Sequence, residues 1–278
     1  MTAGQWLARA AQTLREAGIE DYKTDSGLFL CSVLGVQPGV LRFLAERPLT
    51  EDQTGRLDSM LSRRLEGEPE QYIEGEAWFM GRPFAVDARA LIPRQDTETL
   101  CEWALNELKT RERPRVLDLC CGSGCIGISL KLLCPGAEVT LSDISPDAVQ
   151  LARENAQKLG TEVNTICADG FEGIKGFKFD LIACNPPYLS AEDVDELQRE
   201  VHFEPSLALY GGEDGLEFYR RFIGGMPEHL APGGSAAFEV GLGQAKEAEK
   251  LLAARFPGSE TGSVNDLNGI PRVVYVRT

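Results

Sequence analysis

The chain has 278 residues, too many for one minimal domain, so two domains are expected. Apolar residues make up 43% and charged residues 26%, which excludes a disordered chain, a collagen-like repeat and a disulfide-stapled miniature fold. Acidic residues number 43 against 28 lysines and arginines, a net charge of −15, so bulk binding to a phosphate backbone is disfavoured.

Eight cysteines fall at 31, 101, 120, 121, 125, 134, 167 and 184. They lack the spacing of a disulfide framework and read as reduced thiols. Cys120, Cys121 and Cys125 are poor metal ligands, because adjacent strand residues point to opposite faces and no second ligand pair has zinc-like spacing; no metal is expected. The stretch 1–10 has no basic-then-apolar signal pattern, and no run nears the roughly 18 apolar residues of a membrane span. A cytoplasmic protein without membrane contact is expected. Only His202 and His229 are available for histidine chemistry.

The first 74 residues read as a helical module. Leu7, Ala10, Leu14 and Ala17 recur at helical spacing and Gly18 is a stop. A second apolar run spans 28–34, before Gly35. Thr50 and Gln53 form a capping box, followed by Leu57, Met60, Leu61 and Leu65 on one face. Residues 75–94 form a linker with a β-hairpin, its apolar arms flanking Gly81-Arg82-Pro83. A helix then carries Leu100, Trp103, Ala104 and Leu108. From 115 onward strands and helices alternate, with strands at 115–120, 138–143, 165–168, 179–184, 235–240 and 272–276. Ser145 caps a helix whose first residue is Pro146 and whose buried face is Val149, Ala152, Ala156 and Leu159; Ser190 caps another. The alternation predicts an α/β fold, an open, mostly parallel sheet with helices on both faces over 95–278.

Three places can carry chemistry. The first runs from Asp118 through Cys120, Cys121, Gly122, Ser123 and Gly124 to Gly127, where Gly122, Gly124 and Gly127 spell G-x-G-x-x-G between a strand and a helix. Small residues let a nucleotide approach the backbone. Alone this is a weak signal, for which a tight strand-to-helix turn packed by small residues is the plainer reading to set beside it. Asp143, at the end of the second strand, can accept both ribose hydroxyls of an adenosine, although surface aspartates are common. A dinucleotide dehydrogenase shares both features. Asp118 points away from that reading, because a carboxylate before the glycines opposes a pyrophosphate and suits an amino group, as in S-adenosylmethionine.

The strongest signal is Asn185-Pro186-Pro187-Tyr188, directly after the fourth strand. Chance would produce it in about one chain in a thousand of this length. The prolines fix φ and leave nearby carbonyls free and rigid, and Asn185, preceding a proline, is pushed toward an extended conformation. Its side-chain oxygen and the Pro186 carbonyl can accept both hydrogens of a planar NH₂ group, orienting a poorly nucleophilic nitrogen for attack on a methyl group. Tyr188 can stack on the flat substrate group. Asp169, before Gly170 and Phe171, can accept from an adenine amino group with Phe171 packing nearby; a solvated loop aspartate over a core ring is as simple.

With these residues the chain resembles the bacterial protein-(glutamine-N5) methyltransferases that modify peptide-chain release factors (the HemK/PrmC family). The resemblance covers nearly the whole chain. It rests on Gln71-Tyr72-Ile73 with Gly75-Glu76, Leu91-Ile92-Pro93-Arg94 with Thr97-Glu98, Asp118 to Gly124, Asn185 to Tyr188, and Glu204-Pro205 with Leu207-Ala208-Leu209 and Gly211-Gly212. It implies a Rossmann-like class I methyltransferase sheet behind a small N-terminal helical domain, with S-adenosyl-L-methionine as donor and S-adenosyl-L-homocysteine as product. The acceptor it implies is the side-chain amide of the glutamine in the Gly-Gly-Gln loop of class-1 release factors. It assigns the methionine part of the donor to Asp118 and Cys120 to Gly124, the ribose to Asp143, the adenine side to Asp169, Gly170 and Phe171, and the glutamine amide to Asn185, Pro186, Pro187 and Tyr188. Docking of the release factor falls to the N-terminal helices. Cys120-Cys121 stand where the family usually has Gly-Thr, Gln95 and Asp96 where Pro and Glu are common, and Gly170 where an aromatic ring is often found.

The expectation is therefore a monomeric protein-glutamine methyltransferase with no direct nucleic-acid contact. The alternative is a DNA or RNA amino-group N-methyltransferase, which shares the Asn-Pro-Pro-Tyr motif and which the acidic charge opposes. A dehydrogenase and a non-catalytic binding module are the other rivals.

Overall fold

A computed structural model describes residues 1–278, which divide into two compact units, 1–75 with 199–203, and 76–198 with 204–278.

The first unit is helical. Helix α1 (Ala3–Glu16) buries Ala3, Trp6, Ala10 and Leu14. The face is therefore one turn broader than the leucine spacing suggested, and Ala17 is its C-cap. Helix α2 (Tyr22–Leu34) begins six residues before the apolar run and ends at Gly35, whose φ of +65° closes the last turn. Helix α3 (Glu51–Leu65) starts with the expected capping box: Gln53 N–H donates to Thr50 Oγ1 at 3.1 Å, and Thr50 N–H to Gln53 Oε1 at 3.1 Å. Helix α4 (Glu70–Glu74) completes the set. Leu57 and Leu61 join Trp6, Leu14, Phe29 and Leu30 in one core. Beside it the buried Arg64 pairs with Asp25 at 2.7 Å and with Glu200 at 2.8 Å. Segment 199–203 belongs to this unit although it follows the fourth predicted strand, a long-range return that periodicity cannot reveal.

The second unit opens with the hairpin β1 (Glu76–Phe79) and β2 (Arg82–Ala85). Its turn is Met80-Gly81, both at positive φ (48° and 71°), the two-residue geometry that matches strand twist. The hairpin is not a free-standing linker. Phe79 and Phe84 are fully buried in the sheet's core, and Asn155 ties Ala85 through both amide ends, at 2.7 and 3.0 Å.

Beyond it come α5 (Glu98–Leu108), β3 (Arg115–Leu119), α6 (Cys125–Leu133), β4 (Glu138–Asp143), α7 (Pro146–Lys158), β5 (Asn164–Cys167) and β6 (Phe179–Cys184). The chain then runs through α8 (Ala191–Asp195), α9 (Glu217–Gly225), β7 (Leu230–Glu239), α10 (Ala245–Arg255), β8 (Glu260–Asn265) and β9 (Pro271–Arg277). The seven-stranded sheet has the order β5-β4-β3-β6-β7-β9-β8. All neighbours up to β7 are parallel, and β9 is antiparallel to both β7 and β8. Side-chain alternation splits the core between the faces. Val116, Leu181, Ala183 and Val273 pack on α5, α6 and α7, while Leu117, Ile182, Phe238 and Val274 pack on α9 and α10. This is the expected class I methyltransferase architecture. Strand β7 starts five residues earlier than the break at 232–234 suggested. Strand β8 was not foreseen, because Glu260–Asn265 is a polar, half-exposed edge strand. No helix is long and apolar enough to cross a membrane.

Strand order positions the site. The chain runs from β3 outward through β4 to β5, then returns to β6 on the other side of β3. The crevice beyond the carboxyl ends at such a reversal is where open α/β sheets bind ligands.

Candidate active site

A cavity opens at those carboxyl ends. The β3–α6 loop, Asp143 and Ile144 after β4, Asp169 and Gly170 after β5, and Asn185 and Pro187 after β6 all line it. Further walls are segment 89–94 with Thr97, then Pro205, Leu207 and Ala208, and Phe218, Arg221 and Phe222 of α9.

The glycine loop is built as its spacing requires. Gly124 caps α6 with φ +78°, a conformation open to glycine at no steric cost. A Cβ on Gly127 would lie 2.3 Å from Leu141 Cδ2 and 3.0 Å from Asp118 Cβ, so the third glycine lets α6 settle onto the sheet. Because Leu141 is fully buried and has no room to yield, Gly127→Ala is expected to lower unfolding free energy by about 2 kcal/mol, read from urea denaturation. Cys120 has φ +58°, a conformation that costs a side-chain-bearing residue about 1 kcal/mol. The loop therefore keeps, with a cysteine, a backbone turn suited to the glycine usual at that position.

Asp118 corrects the sequence reading. It is fully buried and does not line the cavity. Its Oδ2 accepts from Gly127 N–H at 2.8 Å and its Oδ1 has no partner. Strand alternation explains this: Asp118 shares the face of Val116, toward α6, so its carboxylate braces the loop from behind and cannot greet a ligand's amino group. Burial, reinforced by the nearby Asp143 charge, pushes Asp118 up to about 7.

Asp143 does face the cavity. Its Oδ2 accepts from Gly122 N–H and its Oδ1 from Ser145 N–H, each at 2.9 Å. Each carboxylate oxygen has a second lone pair, so two hydroxyls can still be accepted. Asp169 lines the cavity in an ion pair with Arg221 at 2.5 Å. Phe171 does not line it. Its ring stacks on His229 at 4.6 Å, and the aromatic wall comes from Phe218 and Phe222, which sequence reading did not select.

Within the proline motif, Asn185 and Pro187 line the cavity, whereas Pro186 and Tyr188 do not. The Pro186 carbonyl accepts no backbone hydrogen bond. Tyr188 is turned away from its expected stacking role, with its hydroxyl 3.4 Å from Glu239 Oε1. Asn185 Nδ2 donates to Thr97 Oγ1 at 3.3 Å. Glu239, at the carboxyl end of β7, is 2% exposed, and burial pushes it up to about 7 against the lowering effect of Thr97, Tyr188 and Arg272. It too was missed, although a carboxylate closing a buried strand is a readable signal.

Two segments that supported the resemblance meet here. Glu204, itself buried, accepts from Ile92 N–H at 2.9 Å and pairs with Arg94. The other cavity-lining arginines are also engaged. Arg89 pairs with Asp87 at 2.8 Å and Glu154 at 2.7 Å, and Arg221 with Asp169. Every lining cation therefore already has a carboxylate, and no free positive charge awaits a pyrophosphate.

The raised carboxyls make stability pH-dependent. Asp118 and Glu239 both hold a proton in the folded state up to about 7, whereas in the unfolded chain they release it near 4. The folded state thus binds more protons between those values, and stability falls as pH rises through 7. Asp87, Glu154 and Asp214 shift downward, so their contributions disappear only below about pH 4 and do not offset this window. Urea denaturation is expected to show the protein about 2 kcal/mol per raised carboxyl more stable near pH 5 than near pH 8. Glu239→Gln should reduce that difference.

Comparison with known proteins agrees with this architecture. The PrmC N-terminal domain family matches residues 5–75 and the methyltransferase small domain family residues 97–202. A release factor glutamine methyltransferase of Koribacter versatilis is 39% identical over 100% of this chain and 99% of its own. One from Bordetella pertussis is 45% identical, over 77% of this chain and 79% of its own. A methyltransferase structure from Pyrococcus furiosus shares the fold, with a TM-score of 0.52 at 16% identity, covering 82% of this chain and 98% of that one. The end-to-end identity with relatives of the same kind establishes the conclusion that the chain is a member of the release factor glutamine methyltransferase family.

Proposed function

We propose that the protein moves a methyl group from S-adenosylmethionine to the side-chain amide nitrogen of a glutamine, that of the Gly-Gly-Gln loop in class-1 release factors. The observation that carries this reading is the placement of Asn185 and Asp143 in one cavity at the sheet's reversal point. The lining fits such a donor. It offers a carboxylate for ribose hydroxyls, aromatic rings for adenine, and no unpaired cation that would select a phosphate. When bound, the donor supplies an electrophilic sulfonium methyl.

The chain's own residues supply alignment. Asp143 holds the donor's ribose hydroxyls, and Gly122 to Gly124 leave the backbone open beside its methionine part. Phe218 and Phe222 flank the adenine, and Asp169 accepts from its amino group. Asn185 Oδ1 and the Pro186 carbonyl accept the two amide hydrogens of the glutamine, turning its nitrogen toward the methyl group. In-line attack then needs no strong base, because the methylated nitrogen is acidic and loses its proton to solvent. The first unit docks the release factor, and this work on a translation protein is in keeping with a cytoplasmic location.

Labelled donor offered with a release factor and with nucleic acid tests the reading. Label is expected in the protein; label confined to nucleic acid would favour the alternative N-methyltransferase.

A further inference from the structure

We propose that Gln244 is a positioning residue for the motif that receives the acceptor amide: it pins the main chain at the far end of the stretch from Asn185 to Tyr188 and so sets where Asn185 Oδ1 and the Pro186 carbonyl stand. This deepens, and rests on, the acceptor role given to Asn185 above.

The motif has to be held from outside. At its near end it continues β6, where Cys184 pairs with Leu119 of β3 and with Phe238 of β7. Beyond that point the two prolines have no N–H to give, so the motif cannot extend the ladder. They also fix φ, which makes the stretch stiff, and a shift imposed at Tyr188 is passed back toward Asn185. The far end therefore needs an anchor of its own.

Gln244 supplies it. Its Nε2 donates to the Tyr188 carbonyl at 2.8 Å, and its Oε1 accepts from Gly241 N–H at 3.0 Å. Both partners are main-chain groups with fixed roles. The carbonyl can only accept and the N–H can only donate, so the amide stands one way round. A reversed side chain would lose both bonds. Gly241 follows β7, and the Val240 N–H just before it donates to the Arg272 carbonyl at 2.8 Å. The anchor is thus rooted in the sheet, and it ties the loop after β6 to the loop after its neighbour β7.

Two further observations single out the same place. Leu189, next in the chain, donates its N–H to the Leu209 carbonyl at 2.9 Å, and its own carbonyl accepts from Gly211 N–H at 2.8 Å. A Cβ on Gly211 would lie 2.7 Å from Tyr188 Cα, and one on Gly215 2.4 Å from the Tyr188 oxygen, so both glycines let the neighbouring loop close onto the motif. Gln244, meanwhile, does nothing for its own helix. It stands at the N-cap of α10, a place that favours Ser, Thr, Asp or Asn, and makes no side-chain capping bond there. The helix start therefore gives no reason for a glutamine at this position.

Steady-state kinetics on the full chain with S-adenosylmethionine and a release factor, paired with calorimetric titration of the donor, test the proposal. Gln244→Glu keeps the shape and the acceptor for Gly241 but sets an oxygen against the Tyr188 carbonyl. It should lower kcat about tenfold or more, since one hydrogen bond is worth about that factor and small misplacement of a reacting group is costly. Donor Kd and binding stoichiometry should stay near wild type. Gln244→Met, which removes both polar ends and carries no charge, should show the same split. In an Asn185→Ala background, Gln244→Glu should cost far less than it does alone, because its effect passes through the motif. Wild-type kcat in both variants, a kcat loss matched by an equal loss of donor affinity, or full additivity with Asn185→Ala would overturn the inference while leaving the proposed function standing. Wild-type turnover by Asn185→Ala alone would remove the acceptor role itself, and this inference with it.

Discussion

Asn185→Ala is expected to lower kcat by at least about a hundredfold while S-adenosylmethionine binds as in the wild type. The size follows from what is deleted. One acceptor aimed at a reacting group inside a water-excluded site is commonly worth about a hundredfold to a thousandfold in rate, near 3–4 kcal/mol. The separation of rate from donor binding follows from location. Asn185 projects from the end of β6, whereas the residues proposed to hold the donor's ribose and adenine follow β4 and β5 or lie on α9. Calorimetric donor titration alongside single-turnover rates distinguishes the outcomes. A variant that binds donor and turns over at the wild-type rate would falsify the role given to Asn185.

Asp143→Ala is expected to produce the complementary defect, a loss of donor affinity of about a hundredfold. Two charge-assisted hydrogen bonds to ribose hydroxyls, each worth about 1.5–3 kcal/mol, account for that size. The carboxylate also accepts from Gly122 and Ser145, so its removal loosens the loop beside the donor. Both effects weaken donor binding, and saturating donor should recover much of kcat. Asp143→Asn keeps the shape but replaces one acceptor oxygen with a donor group, and should fall between wild type and alanine. Unchanged donor affinity in Asp143→Ala would place the ribose elsewhere.

Much of the architecture was legible because the physics behind it is local. The apolar runs at 138–143 and 179–184 sit in the sheet where buried parallel strands belong, and the capping box at Thr50 and the Ser145-Pro146 helix start appear as read. What escaped was non-local or lacked contrast. Strand β8 carries Glu260, Thr261, Gly262 and Ser263, an exposed edge whose composition looks like a loop. Segment 199–203 joins the first unit through Glu200 pairing with Arg64, a contact between residues far apart in the chain.

The site divides along the same line. Asp143 and Asn185 line the cavity because strand ends at a sheet reversal face the crevice there. Asp118 was misread as a ligand contact because its motif outweighed strand parity, which directs it at α6. Phe171 was chosen for nearness in sequence to Asp169, but the aromatic wall arrives from α9, some fifty residues on. Thr97 reaches Asn185 from the start of a different element, 88 residues earlier, so no window along the chain contains both. The reading against a dinucleotide survives on a different footing, the carboxylate partners of Arg89, Arg94 and Arg221.

The most direct measurement is mass spectrometry of a class-1 release factor after incubation with the protein and S-adenosylmethionine. One added methyl on the glutamine of its Gly-Gly-Gln loop, absent from an Asn185→Ala control, is the predicted result. An unmodified glutamine under conditions where the wild-type protein binds both donor and release factor would contradict the account.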